Sequence, residues 1–230
     1  MSIKKKQKQK ILSAAKLVIK EKGIFNFTFS ELSKASGVPN TSLHRIFKSK
    51  DDLLCSIFIE RLKKQMLVMD YIDKSQLTAK EKIITHVYYA YFSIKESKDS
   101  VGDRFLITNH SLYKNASQKI IDEFEGLIQT LNYKVYSRYT SLKDTGIICV
   151  SSATIKNQIV AIHVISRGLA ALAKDRYAPR GILKLKFVVN MLLPTLEELE
   201  WRAGPNSKYD IRNIHVMINT LSDNEFEALL

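Results

Sequence analysis

The stretch Phe27-Thr28-Phe29-Ser30-Glu31-Leu32, followed by Gly37-Val38-Pro39-Asn40-Thr41-Ser42-Leu43-His44-Arg45-Ile46-Phe47-Lys48-Ser49-Lys50-Asp51-Asp52-Leu53-Leu54, carries a dense set of helix signals. Thr28 and Glu31 have capping-box spacing: the hydroxyl takes the N3 amide and the carboxylate reaches back to the cap's own amide. Phe27 and Leu32 stand at the two positions of a hydrophobic staple. A helix therefore starts at about Phe29, and Gly37 ends it. A third helix opens near Pro39-Asn40, either with Pro39 as its first residue or with Asn40 as its cap. It runs through Leu43 and Ile46 to about Phe47. Ser49-x-x-Asp52 then caps a longer helix bearing Leu53, Leu54, Ile57 and Phe58. Two short helices joined by a tight turn containing glycine make a helix-turn-helix. Its second helix enters the major groove and presents N-terminal residues to base edges.

Upstream, Ile11, Leu12, Ala15, Val18 and Ile19 recur at helical spacing over 7–22, and Gly23 stops that helix. The charge gathers here. Residues 1–65 hold 15 Lys/Arg and 5 Asp/Glu, a net of +10, whereas 66–230 hold 21 and 18, so only +3 of the total +13. A basic head on a nearly balanced body suits a polyanion, or else is a charged face kept for solubility. Lys4, Lys5, Lys6, Lys8 and Lys10 read either as a DNA-contacting arm or as a frayed, solvated tail.

Glycine and proline number only 8 and 4 in 230 residues, too few turn formers for a sandwich or barrel. The chain reads as all-α. The glycines never cluster, so no phosphate-cradling loop or dinucleotide fingerprint is present. The five histidines are far apart, the two cysteines form no CxxC, and no Gly-x-Ser-x-Gly elbow occurs. No enzymatic activity, cofactor or metal is expected. Cys55, in the apolar run Leu53–Phe58, reads as core filler in a reducing compartment. No apolar run approaches the roughly 20 residues that span a bilayer, so a cytoplasmic protein without a membrane partner is expected.

Taken as a set, the first helix ending in Gly23, Thr28-x-x-Glu31-Leu32, and Gly37 through Leu54 resemble the DNA-binding domain of the TetR family of bacterial transcriptional regulators. The likeness covers about 50 of the 230 residues, without insertion. It implies an N-terminal three-helix DNA-binding domain over 1–52 and a larger helical ligand-binding and dimerisation domain over 53–230. It further implies a homodimer on double-stranded DNA, a repressor released from a palindromic operator by a small molecule of unknown identity. The alternative is a helix-turn-helix protein whose main output is a protein–protein contact. By position, Ser30, Asn40, Thr41 and Arg45 would read bases, and Thr28, Ser42, His44, Lys48 and Lys50 would sit against phosphates. The family usually has Tyr where this chain has His44, and often His or Tyr where it has Ile46. Protonated His44 would hold a phosphate more strongly, making DNA affinity pH-dependent, and Ile46 turns inward.

Beyond the head, helical segments are expected at 50–72, 79–97, 101–113, 117–142, 154–176 and 181–202, with weaker stretches at 210–221 and 223–230. Pro194 should kink or split its helix, with Thr195-x-x-Glu198 as a restart. Gly146–Val150 has the look of a short extended piece without a partner strand. The resemblance implies a four-helix dimer interface from the last two long helices, and Ile159, Ile162, Ser166, Ala170, Phe187 and Met191 are its candidates. It also implies a ligand pocket among Tyr88, Phe92, Phe105, His110, Tyr113, Phe124, Tyr133 and His163. The same aromatics would equally serve as a filled core.

Overall fold

The computed structural model describes residues 3–96, 113–173, 177 and 184–223. They form α1 (Ile3–Lys22), α2 (Phe29–Ser36), α3 (Asn40–Ile46), α4 (Lys50–Lys74), α5 (Ala79–Glu96), α6 (Gln118–Asp144), α7 (Ser152–Leu172), α8 (Leu185–Glu197), a 3-10 turn (Pro205–Ser207) and α9 (Ile211–Asp223). The segment expected over 101–113, apart from Tyr113, and the one over 223–230, apart from Asp223, lie outside the described residues.

The described residues of Met1–Arg61 and Ser97–Leu127 make one compact unit, and those of Leu62–Glu96 and Ile128–Leu230 make another. In the first unit, α1 packs Ile11, Leu12, Ala15 and Ile19 against a core that includes Leu32, Leu43, Phe47, Leu53 and Phe58. These side chains come from all four helices of the head. Burying each of the leucines, isoleucines and phenylalanines contributes about 1.5–3 kcal/mol, which is how such short helices, marginal alone, stay folded. Cys55 belongs to this core, and its Sγ faces the Ile120 carbonyl at 3.9 Å. Burial, aided by the nearby Asp52 and Glu123 charges, pushes its thiol up to about 12. A thiol that stays protonated is a poor nucleophile, whereas Cys149 is exposed. At pH 8 an aromatic disulfide reagent should therefore titrate one thiol per folded chain and two in denaturant; two fast thiols in the folded chain would contradict this burial. The same shift makes the fold weaken above pH 9, because the unfolded thiol then loses its proton and the folded one does not.

In the second unit, α5 is surrounded by α7, α8 and α9. Ile84, Val87 and Tyr91 from α5 meet Ile155, Ile162 and Leu169 from α7, Val189, Leu192 and Leu196 from α8, and Ile214 and Ile218 from α9. Glu81, buried, fixes the start of α5. One carboxylate oxygen accepts from the Thr78 amide at 2.8 Å, and the other from the Asp210 amide at 2.8 Å and Asn213 Nδ2 at 3.1 Å. A capping box is thereby also the tie that holds α9 in place. Lys80, likewise buried, reaches Glu197 on α8 at 2.8 Å and lies over the Trp201 ring at 5.1 Å.

Three local expectations need correction. Pro194 does not split its helix: α8 continues through it to Glu197, and Glu198 is its C-cap rather than part of a new helix. Leu192 and Leu196, on either side of the proline, are both buried in the core of this unit. Second, Gly146–Val150 does find a partner, because Ile148 makes an antiparallel bridge to Trp201. The Cys149 amide donates to the Glu200 carbonyl at 3.1 Å and the Arg202 amide to Ile147 at 2.9 Å. Third, the basic start is helical from Ile3 onward, with Lys5, Lys6 and Lys10 exposed on it, and so is not a frayed tail.

Candidate nucleic-acid interface

The geometry of α2 and α3 follows from their caps. Thr28 Oγ1 accepts from the Glu31 amide at 3.2 Å, and Glu31 Oε2 accepts from the Thr28 amide at 2.8 Å, so the capping box stands as expected. Phe27 and Leu32, the staple pair, are fully buried. Gly37 adopts φ 62°, a left-handed conformation that glycine enters without steric cost. Ser33 Oγ donates to the Val38 carbonyl at 2.8 Å and the Val38 amide donates to Ser36 Oγ at 3.3 Å. Two serines therefore lock the turn that aims α3.

Pro39 is the N-cap of α3, and Asn40 its first residue; neither of the two sequence alternatives holds. The Pro39 carbonyl accepts from the Ser42 amide at 2.9 Å and the Leu43 amide at 3.0 Å. With no side-chain cap bond made, Asn40 carries no capping duty and is exposed. Leu43 and Phe47 turn into the core, Ile46 is half-buried, and Thr41, His44 and Arg45 stand exposed on the other side. Ser30 is also exposed, so all four expected base readers face solvent.

Among the expected phosphate contacts, His44, Lys48 and Lys50 are exposed and Ser42 is half-buried. The His44 ring packs at 4.7 Å against Phe29, and the Lys50 ammonium lies 5.0 Å over the Phe27 ring. Lys8 of α1 sits 6.0 Å over Phe47. Both lysines thus ride on the aromatic core while keeping their charge at the surface. The Thr28 hydroxyl is already committed, since it donates to Glu31 at 2.9 Å. Glu31 itself is held below the usual carboxylate range, chiefly by the bonds from Thr28 and then by Lys22.

A further feature was not anticipated. Asp52, buried, accepts from the Lys48 amide at 2.8 Å, just past α3, and from the Ser117 amide at 2.6 Å. Asp51 accepts from the Asn115 amide at 2.9 Å. The exit of the recognition helix is thus tied to the chain entering α6.

The other expected residues divide. Tyr88 is buried and Phe92 half-buried, with ring centroids 6.1 Å apart, and His163 is half-buried. Tyr113 and Phe124 meet edge to face at 5.1 Å in the first unit, where Phe124 also lies against Phe58. Tyr133 is exposed, and Phe105 and His110 lie outside the described residues. On α7, Ile162 and Ala170 are buried in the unit's own core, and Ile159 and Ser166 are half-buried. Val160 and Val164 are 60% and 65% exposed instead, and Phe187 and Met191 on α8 are exposed.

A short basic head with its polar recognition helix facing out, followed by an all-helical body, defines a helix-turn-helix regulator of transcription. Residues 11–57 match the family of bacterial regulatory proteins designated tetR. The fatty acid metabolism regulator protein of Bacillus subtilis is 34% identical over 135 residues, spanning 57% of this chain and 68% of that protein. A TetR-family regulator from Agrobacterium tumefaciens superposes with a TM-score of 0.59 at 16% identity, covering 86% of this chain and 99% of that one. The fatty acid degradation regulator FadR from Bacillus halodurans gives 0.57 at 16% identity, covering 85% and 97%. The chain belongs to the tetR family, and it is a transcriptional regulator, not an enzyme. No described helix is long and apolar enough to cross a membrane.

Proposed function

We propose that the protein is a cytoplasmic homodimeric repressor that leaves a palindromic operator when a small molecule binds. Residues 1–52 read DNA, and 53–230 carry the dimer and ligand functions. The observation that carries this reading is the exposed row Ser30, Asn40, Thr41 and Arg45, set on a head whose net charge is +10 over residues 1–65. Asn suits adenine, Arg suits guanine, and the Thr41 methyl suits a thymine methyl. His44, Ser42, Lys48 and Lys50 fix the register on the phosphates, and Thr28 does so only through what its cap leaves free.

Two heads are needed to read a site with useful specificity, and half-sites one turn apart need centres about 34–36 Å apart. The face that supports pairing is the apolar stripe Val160, Val164 and Gly168 on α7, beside Phe187 and Met191 on α8, with Ile159 and Ser166 flanking it. Gly168 has no heavy atom within 4 Å of the place its Cβ would occupy, which leaves room for a second helix. Val164→Glu is expected to convert the dimer to a monomer in light scattering; an unchanged mass would rule out this face. The effector is held around Tyr88, Phe92 and His163, and it acts by preferring the conformation that does not bind DNA. Given the relatives named for fatty acid metabolism and degradation, the regulated genes belong to the same field. Selection of bound genomic fragments tests the whole reading, with a symmetric footprint expected and an asymmetric, weak one refuting it.

A further inference from the structure

The second unit has an open cleft of about 470 Å³ where the end of α4, the start of α5 and the later half of α6 come together. Its charged lining consists of Asp70 and Asp73 from α4, Lys82 from α5, and Lys134 and Arg138 from α6. Three cations against two carboxylates leave one positive charge in excess. Lys134 is paired with Asp70. The other two cations share a single residue. Lys82 Nζ donates to the Asp73 carbonyl at 2.8 Å, while Arg138 Nη2 lies 2.8 and 2.9 Å from the two Asp73 carboxylate oxygens. The Asp73 carboxylate therefore serves Arg138 alone, and Lys82 has only a neutral backbone carbonyl.

Arg138 carries the second sign. Its Nε is buried and has no acceptor, and Arg138 is among the residues that line the cleft. A desolvated donor without a partner is costly, and a planar guanidinium is shaped to give two parallel bonds to one carboxylate. Here Asp73 engages it through one nitrogen only. The rest of the wall is of another kind: Leu77, Leu142 and Ile147 are apolar, and the exposed Tyr133 ring stands at the edge. Charge excess, an unspent arginine donor and a hydrocarbon wall converge on one class of molecule.

We propose that this cleft binds a monoanionic carboxylate on a hydrocarbon body, with Arg138 and Lys82 on the carboxylate and Leu77, Leu142 and Ile147 against the hydrocarbon. The incoming carboxylate competes with Asp73 for the guanidinium and takes Nε as a further donor, and its charge brings the lining to neutrality. The site is separate from the aromatic residues Tyr88, Phe92 and His163, none of which lines it.

Calorimetry on the full chain, with 4-phenylbutanoate as probe and no DNA present, tests the proposal independently of the operator. Saturable binding of one probe per chain is expected, with 4-phenylbutylamine, 4-phenylbutanol and inorganic phosphate each at least about tenfold weaker. Arg138→Lys keeps the charge but removes Nε and the fork, and it should weaken the carboxylate by about tenfold or more. Lys82→Gln, at a half-buried position away from the core cluster, should act in the same direction and decides the matter if Arg138→Lys fails to fold. No binding of the carboxylate, equal binding of the amine, alcohol or phosphate, or undiminished binding by Lys82→Gln would overturn it.

Discussion

Alanine at both Asn40 and Arg45 is expected to abolish selective retention of the operator while leaving the fold and the weak, salt-dependent binding of random DNA in place. Both side chains are exposed, and no packing is lost with them. A well-placed bidentate contact from either residue type to a base discriminates by about 1–3 kcal/mol. In a dimer each residue acts twice, so the loss is at least about 4 kcal/mol, roughly a thousandfold in affinity. Nonspecific binding rests on phosphate neutralisation, and its slope against salt should change by only the one charge removed per head. Mobility shifts with operator and scrambled fragments over a salt series separate the two effects. Retained discrimination between these fragments in the double variant would show that α3 does not read bases.

The head was legible in the sequence because its determinants are local. Thr28 and Glu31 are three residues apart, as are Ser49 and Asp52, and Gly37 alone satisfies the left-handed turn. The body was less legible for a physical reason. In α7 the apolar residues run round most of the helix, so spacing cannot say that Ile162 and Ala170 go to the core while Val160 and Val164 stay outside. Nor can composition say which aromatics share a neighbourhood. Tyr113 and Phe124 join Phe58, and Tyr88 joins Tyr91 and Phe92, because the chain path and not the residue type sorts them. The cleft charges come from three helices, and Asp73 lies 65 residues from Arg138. No short-range rule connects them.

The same long reach makes Asp52 the residue whose loss should matter most to the head. Its carboxylate is buried and accepts two backbone amides, from Lys48 and Ser117, while its own amide donates to Ser49 Oγ at 3.1 Å. Hydrogen bonds to a charged group are worth about 1.5–3 kcal/mol each, and alanine leaves both amides without the carboxylate. Asp52→Ala is therefore expected to cost about 3–5 kcal/mol, lowering Tm by roughly 10 °C in a chain of this size. Asp51→Ala offers the contrast, since its one exposed bond to Asn115 should cost about 1 kcal/mol or less. Asp52→Asn keeps the shape and one acceptor oxygen, so it should fall between the two. The effect on function is directional. Lys48 directly follows Phe47, the C-cap of α3, so freeing its amide loosens the end of the recognition helix. Below the melting transition, Asp52→Asn should then weaken operator binding while Asp51→Ala does not. Thermal melts beside mobility shifts at 20 °C distinguish the outcomes. Equal small effects from Asp51→Ala and Asp52→Ala would mean that the buried carboxylate does not hold the exit of α3.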